Sequence, residues 1–513
     1  MMTALFRVCG SVDLVWENAI FVGSGPPRRR MTKPESGMAK QTGPASGRRK
    51  TARNAERRKR AKKEVRAVLG LPVLHADTAG IDIGATEIYV AVPADRDEEP
   101  VRCFEAYTGD LRGIAEWLGK CEVKRVAMES TGVYWIPLWQ ILADAGFEVC
   151  LVNARHFKNV PGKKTDVEDC QWLQFLHSVG LLKGSYRPEQ AICGVRTLLR
   201  YRLELIRFAA EHIQHMQKAL EQMNVKLSHV ISDLMGVSGL AIVDAILSGE
   251  RDLRKLAQLR DPRVQASEET IMKSLEGDYR PEHLITLQHS LDLYRHYQKK
   301  IGELDQKMET FMSELPDRID IRKYPMPPRR KKSRAHKAHN TPAFDLRTHC
   351  YRILGVDLTA IDGIDEITAH TVVTEVGPDL SAFPSEAEFA AWLRLCPNHG
   401  ISGGKILSRA TRKGKSRLAV ALRNAAATLY SSQSPLGEYF RRRKARMGPA
   451  QAITAAAHKL ARIIYHTITT GEAFDPEILA RQDEKQQQKK EAKLRRQAKE
   501  CGFELVRMQA AQA

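Results

Sequence analysis

Four carboxylates and one serine have the surroundings that phosphodiester chemistry needs. Asp82 lies in GIDIG (80–84), between Ile81 and Ile83. Glu129 follows the short apolar run KRVAM (124–128). A lone charge in apolar surroundings is costly. Each acid therefore serves a site, unless Asp82 is a turn acid before Gly84 and Glu129 a strand-end acid facing water. Asp166 and Asp169 are three apart and share one face of a helix, where they belong either to a site or to the helix N-terminus. Glu168 fits a capping box with Thr165. Carboxylates at the ends of successive elements form a hard-oxygen site for Mg²⁺ or Mn²⁺. Two ions so held clamp the attacking and leaving oxygens of a phosphodiester exchange. Far along the chain, Ser402 stands in ISGGK (401–405). Glycines let a DNA backbone approach a hydroxyl closely, and Lys405, Arg409 and Arg412 could neutralise a pentavalent phosphate. On local sequence alone Ser402 reads as an ordinary loop serine, and a serine needs a base or a metal to become a nucleophile.

Positioning these residues takes an α/β domain followed by helices. Strands are expected at 78–93 with a turn at Gly84, at Val101–Thr108, at Lys124–Met128 and at Phe147–Val152. Helices are expected at Leu111–Cys121, Tyr134–Ala145 and Thr165–Val179. The order predicts a mixed sheet, with the ribonuclease-H-like arrangement one candidate. Trp135, Trp139 and Trp172 either stack on bases or fill the core. Arg155, Lys163 and Lys164, around the carboxylate helix, are phosphate contacts or a solvated loop. Two heptad seams follow. One steps through Leu199, Leu203, Ile206, Ala210, Ile213, Gln217, Leu220, Asn224 and Leu227. The other steps through Leu284, Leu287, Leu291, Tyr294, Gln298, Ile301, Asp305, Met308, Met312 and Leu315. They pair as a hairpin or between chains, and pairing between chains is the preferred expectation. Short helices fill 238–276. The last block reads as helix, Gly turn, helix at 358–377, a helix at Ser385–Leu395, a basic Gly-rich loop at Pro397–Arg412, and helices at Leu418–Leu429 and Gln451–Thr470. The helix, Gly turn, helix at 358–377 has the spacing of a helix-hairpin-helix.

The chain has 513 residues, 81 Lys/Arg against 61 Asp/Glu, and a net charge of +20, which points to a polyanion partner. The surplus is concentrated. Arg28–Arg66 has sixteen basic residues against three acids, Arg322–Lys337 has eight and none, and Arg481–Lys499 has eight and three. These runs account for more than the whole surplus, so the remainder is expected to be nearly neutral. The first run reads as a disordered arm; Met31 and Met38 inside it are alternative starts. Nine cysteines without a CxxC pair argue against a disulfide framework or a cysteine zinc site. No signal peptide or apolar run of about 18 residues is evident. The expected setting is the bacterial cytoplasm, in association with the nucleoid. The expected segments are a basic arm (1–70), a catalytic domain (71–185), a coiled-coil region with a helical insert (186–320), a linker (321–345), a C-terminal domain (346–478) and a charged tail (479–513).

Residues 70–475 resemble the DEDD-motif transposases of insertion sequence family one hundred and ten. The resemblance rests on GIDIG (80–84), MESTGVYW (128–135) and VNARHFKNVPGKKTDVEDCQWL (152–173). It continues through GVSG (236–239), AILSGERD (245–252), AIDGIDEITA (360–369), AAWLRLCPN (390–398), ISGGK (401–405) and RKGKSRL (412–418). It implies a RuvC-like N-terminal domain whose four acids are Asp82, Glu129, Asp166 and Asp169, assisted by Mg²⁺. It implies that Ser402 is the nucleophile that joins DNA covalently. It also implies guidance by a structured noncoding RNA that pairs with target and donor DNA, and a site assembled between subunits of a dimer or tetramer. The alternatives are a metal-dependent hydrolytic nuclease or junction resolvase, which needs only the carboxylates and water, and a non-enzymatic nucleic-acid-binding scaffold.

Overall fold

The computed structural model describes residues 70–153, 166–328, 340–408, 410–412, 414, 416–477, 492, 494–500 and 502–503. The N-terminal basic arm, most of the second basic run and most of the tail run lie outside them. The chain divides after Tyr186 into two compact units.

The first unit is built on β1 (Thr78–Ile83), β2 (Glu87–Ala91), β3 (Val101–Glu105), α1 (Thr108–Lys120), β4 (Arg125–Glu129), α2 (Trp135–Asp144), β5 (Glu148–Val152) and α3 (Asp166–Ser178). The five strands form one mixed sheet in the order β3-β2-β1-β4-β5. β2 runs antiparallel to β1 and β3, whereas β1, β4 and β5 are parallel. Alternation along the strands explains both faces. Ile81, Ile83, Val126 and Met128 pack with Leu111, Ile114 and Leu118 of α1 and Leu138 and Leu142 of α2. Ala127 and Val152 pack on the other face with Leu173 and Leu176 of α3.

The second unit begins with α4 (Gln190–Gln222). α5 (Leu227–Val230), α6 (Val237–Leu247), α7 (Leu253–Gln258) and α8 (Glu268–Leu275) follow, then α9 (Pro281–Ser313). α4 and α9 are 33 residues each and pack against one another within the chain. This is the hairpin alternative. The seam on α9 is the expected one, with Leu287, Leu291, Tyr294, Ile301, Asp305, Met308 and Met312 buried. On α4 half of the expected seam is displaced by one position. Arg202, Ala209, Met216 and Met223 are buried instead of Leu203, Ala210, Gln217 and Asn224. Arg202 disguises the stripe, because a charged residue occupies an inward position. Its guanidinium bonds both Asp305 carboxylate oxygens, with Nη2 at 3.1 Å from Oδ2, and Nη1 donates to the Asn340 carbonyl at 3.0 Å. Asp305 also accepts from the Ala343 amide at 3.2 Å. The buried charge is therefore fully engaged, and it fixes the 340–343 segment to the helix pair.

The chain continues with α10 (Leu346–Leu354), α11 (Glu366–Glu375), α12 (Glu386–Trp392), the hairpin β6 (Gly400–Ser402) and β7 (Lys405–Ser408), α13 (Arg417–Thr428), α14 (Pro435–Met447) and α15 (Pro449–Thr470). Asp345, Asp365, Ser385, Ser416 and Ser434 cap the N-termini of α10 to α14. Arg196 caps the other end of α11 through the carbonyls of Thr374 and Glu375, and Arg200 forks onto the Glu375 carboxylate. The expected helix-turn-helix at 358–377 is corrected in its first half. Leu358–Ala360 is a single 3₁₀ turn, because Asp357 accepts from the Thr359 amide and hydroxyl while pairing with buried Arg347. Gly363 then takes φ +87°, with the Ala425 carbonyl 2.8 Å from where a Cβ would sit. The Gly-rich stretch expected as a loop at 397–412 contains β6 and β7 instead. Among the described residues no helix is long and apolar enough to cross a membrane.

Candidate active site

The sheet brings together acids that are far apart in sequence. The parallel register pairs Ile81 with Met128, so the next residues, Asp82 and Glu129, stand side by side at the carboxyl ends of β1 and β4. Ligand sites of α/β sheets collect at this edge. α3 lies directly on β1. A Cβ at Gly80 would be 2.2 Å from the Cys170 carbonyl oxygen and 2.3 Å from the Gln174 amide nitrogen. This closeness brings Asp169 to the same edge.

The result is a cleft of about 360 Å³ lined by Asp82, Glu129 and Asp169. Glu129 is only 4% exposed. Beside the acids, Cys170 is fully buried, and burial raises its thiol to about 12, with the Asp82 and Asp169 carboxylates adding to the rise. Asp166 is the first residue of α3; its side chain falls outside the described residues, as do Arg155, Lys163, Lys164 and Arg409.

Residue types and spacing missed part of the wall. Thr86, Glu87, Tyr89 and Thr131 also line the cleft. Tyr89 pairs across the strands with Asp82. Its hydroxyl donates to Glu87 Oε2 at 3.1 Å. Hydrogen bonds with Cys103 and Glu87 raise the phenol to about 12. The alternation of β2 was the available signal, since positions 87 and 89 share the face of Asp82 once the hairpin register is set. The tryptophans take their packing role: Trp135 and Trp139 lie against the core under α1 and α2, and Trp172 stacks on Phe175 with ring centroids 5.6 Å apart.

In kind, the donors fit a hard divalent ion, being carboxylate oxygens in one cleft. As placed, no group of three or more His, Cys, Asp or Glu among the described residues could hold a metal.

Ser402 belongs to the second unit. It ends β6 and pairs with Lys405 across a two-residue turn, Gly403 at φ +55° and Gly404 at φ +76°. Two positive φ values are the signature of a type I′ hairpin, whose twist matches its strands. Every residue of both strands is exposed, including Ile401 at 64% and Leu407 at 73%. Its base is tied by the Asn398 amide to the Ala410 carbonyl at 2.8 Å and by a bridge between Pro397 and Thr411. Lys405 starts the return strand and Arg412 follows its base.

A mixed sheet in this order, with acids at adjacent strand ends and on the helix that crosses them, is consistent with a ribonuclease-H-like domain acting on nucleic-acid phosphodiesters. Two family models match. A transposase model, the DEDD transposase of IS110, covers residues 79–225, and the Transposase IS116/IS110/IS902 family covers residues 357–441. Together they cover less than half of the chain and support an IS110-family transposase of an insertion sequence, with DNA transposase activity and DNA binding. The DEDD domain points to dependence on a divalent metal. Comparison with curated proteins finds no match.

Proposed function

We propose that the chain exchanges DNA strands through Ser402, assisted by Mg²⁺ or Mn²⁺ held by Asp82, Glu129, Asp166 and Asp169. The shared cleft of Asp82, Glu129 and Asp169 carries this reading. When bound, a divalent ion there would polarise phosphate oxygens and stabilise their developing charge. The Ser402 hydroxyl attacks phosphorus; an Oγ–P bond forms, one P–O ester bond breaks, and the departing DNA hydroxyl takes up a proton. A DNA hydroxyl then attacks the phosphoserine diester, restoring the serine and joining the exchanged strand. Lys405, Arg409 and Arg412 offset the phosphate charge, and Arg155, Lys163 and Lys164 hold DNA near the carboxylates. In this reading a structured noncoding RNA from the element selects target and donor DNA. The protein acts as a homo-oligomer, with segments 71–185 and 346–478 as its two catalytic parts.

The test is capture of a protein–DNA adduct under denaturing conditions with element-end DNA, its guide RNA and Mg²⁺. The wild type gives an adduct and Ser402→Ala none. Asp82→Asn and Asp169→Asn lose strand exchange. An adduct that persists in Ser402→Ala rejects the nucleophile, and cleavage without any adduct indicates a hydrolytic nuclease instead.

A further inference from the structure

The folded body is not evenly neutral. Between Phe389 and Thr470 the chain has fifteen Lys/Arg and one acid, Glu438. The densest part is α14, with Arg441, Arg442, Arg443, Lys444 and Arg446 within six positions. All but the first lie beyond the matched residues 357–441.

α14 folds for reasons unrelated to its charge. Ser434 caps it by accepting from the Gly437 amide at 3.3 Å, Pro435 starts it, and Leu436, Gly437 and Phe440 bury its other side. Of the five cations, Arg441 ties the fold together, donating to the Ser432 and Tyr430 carbonyls at 2.5 and 3.3 Å. Arg442 reaches Glu438 at 3.4 Å in an exposed i,i+4 pair, worth a few tenths of a kcal/mol at most. Arg443, Lys444 and Arg446 form no ion pair among the described residues.

Two of them rest on aromatic faces. The Arg443 guanidinium lies 5.1 Å from the Tyr439 ring centre, and the Lys444 ammonium lies 4.0 Å from that of exposed Tyr430. A cation–π contact steadies a cation without neutralising it. The C-terminal end of a helix favours cations, which accounts for one or two of them but not for five. Arg442 and Arg446 are four apart and Arg443 and Arg446 three apart, so these side chains are neighbours on the helix surface. Mutual repulsion weakens such a strip until an anion of regular charge spacing covers it.

We propose that Arg442, Arg443 and Arg446 form a docking strip for the phosphate backbone of duplex DNA. It needs only a DNA partner and is independent of Ser402 chemistry. Each phosphate neutralised steepens the fall of log K with log salt by about 0.9 for duplex DNA.

The experiment measures binding of the full-length chain to duplex DNA across a salt series. The triple change Arg442→Gln, Arg443→Gln, Arg446→Gln should make the slope shallower by about 2 to 3, and Arg446→Gln alone by about 0.9. The helical circular dichroism and melting temperature should stay unchanged. Ser402→Ala should keep the wild-type slope, which separates this proposal from the nucleophile assignment. A control, Lys218→Gln, Lys299→Gln, Lys307→Gln, removes the same charge from α4 and α9. An unchanged slope in the triple and single variants overturns the strip. So does an equal fall in the control, or a fall on single-stranded RNA with none on duplex.

Discussion

Gly80 and Cys170 are in contact through their main chains: a Cβ on Gly80 would lie 2.2 Å from the Cys170 carbonyl oxygen. The side chain of Asp169, one residue before, reaches the cleft because no atom stands between strand and helix. Gly80→Ala must push α3 off β1. Overpacking of this kind costs about 1–3 kcal/mol. The melting temperature should fall, and strand exchange should fall further than the lost folded fraction explains. Normal activity in a folded Gly80→Ala protein would show that α3 need not lie this close.

The Ser402 hairpin should respond differently. Nothing lies within 4 Å of a Cβ at Gly403 or Gly404, so the demand at these positions is on φ alone. Asn accepts the left-handed region, and a β-branched residue does not. Gly403→Asn should retain adduct formation. Gly403→Val should lose it, with little change in melting temperature because the hairpin lies outside the core. A large melting shift in Gly403→Val would contradict that separation.

The Arg202–Asp305 pair gives a prediction about stability. Both side chains are about 4% exposed. Removing one partner leaves a buried charge alone, at a cost of about 3–5 kcal/mol. Asp305→Ala should therefore be strongly destabilised in denaturant titration. Arg202→Met with Asp305→Leu should recover much of the loss, since a buried ion pair replaced by apolar groups is often close to neutral. Equal destabilisation in the single and double variants would place the contribution in the Asn340 and Ala343 contacts instead.

His370 sets a pH dependence. It is wholly buried, and neither ring nitrogen has a hydrogen-bond partner among the described residues. Burial lowers its pKa to about 3, with Arg202 and His349 adding to the fall. The native state holds the ring neutral, whereas the unfolded state protonates it near 6.5. Its stabilising contribution is therefore full above about 6.5 and is lost as pH falls toward 3, by up to about 1.4 kcal/mol per unit. His370→Leu should flatten the stability profile between pH 6.5 and 4.5. A profile as steep as the wild type would assign the loss to other groups.

The mixed sheet was legible because short apolar strands alternate with helical spacing, and the ribonuclease-H-like arrangement was one candidate for it. Asp82, Glu129 and Asp169 could be selected by type and then by resemblance. Glu87 and Tyr89 could not, because their place in the wall depends on the β1–β2 register rather than on an unusual local pattern. The α4 seam was misread at Arg202, where a buried charge looks like an exposed one until Asp305 is seen opposite. The β6–β7 hairpin was read as a loop because its strands are three and four residues long and exposed on both faces. The charge of α14 was averaged away against acids elsewhere in the chain, none of which lies between Phe389 and Ser434.

The pairing of Ile81 with Met128 has one more consequence. Side chains on a strand alternate between faces, so a slip of β4 by one position would send Glu129 to the apolar side with α1 and Met128 to the cleft. A misassembled sheet could not keep the cleft's carboxylates together. A DNA-cutting enzyme with such a sheet has a built-in safeguard: an incorrectly folded copy is also an unarmed one.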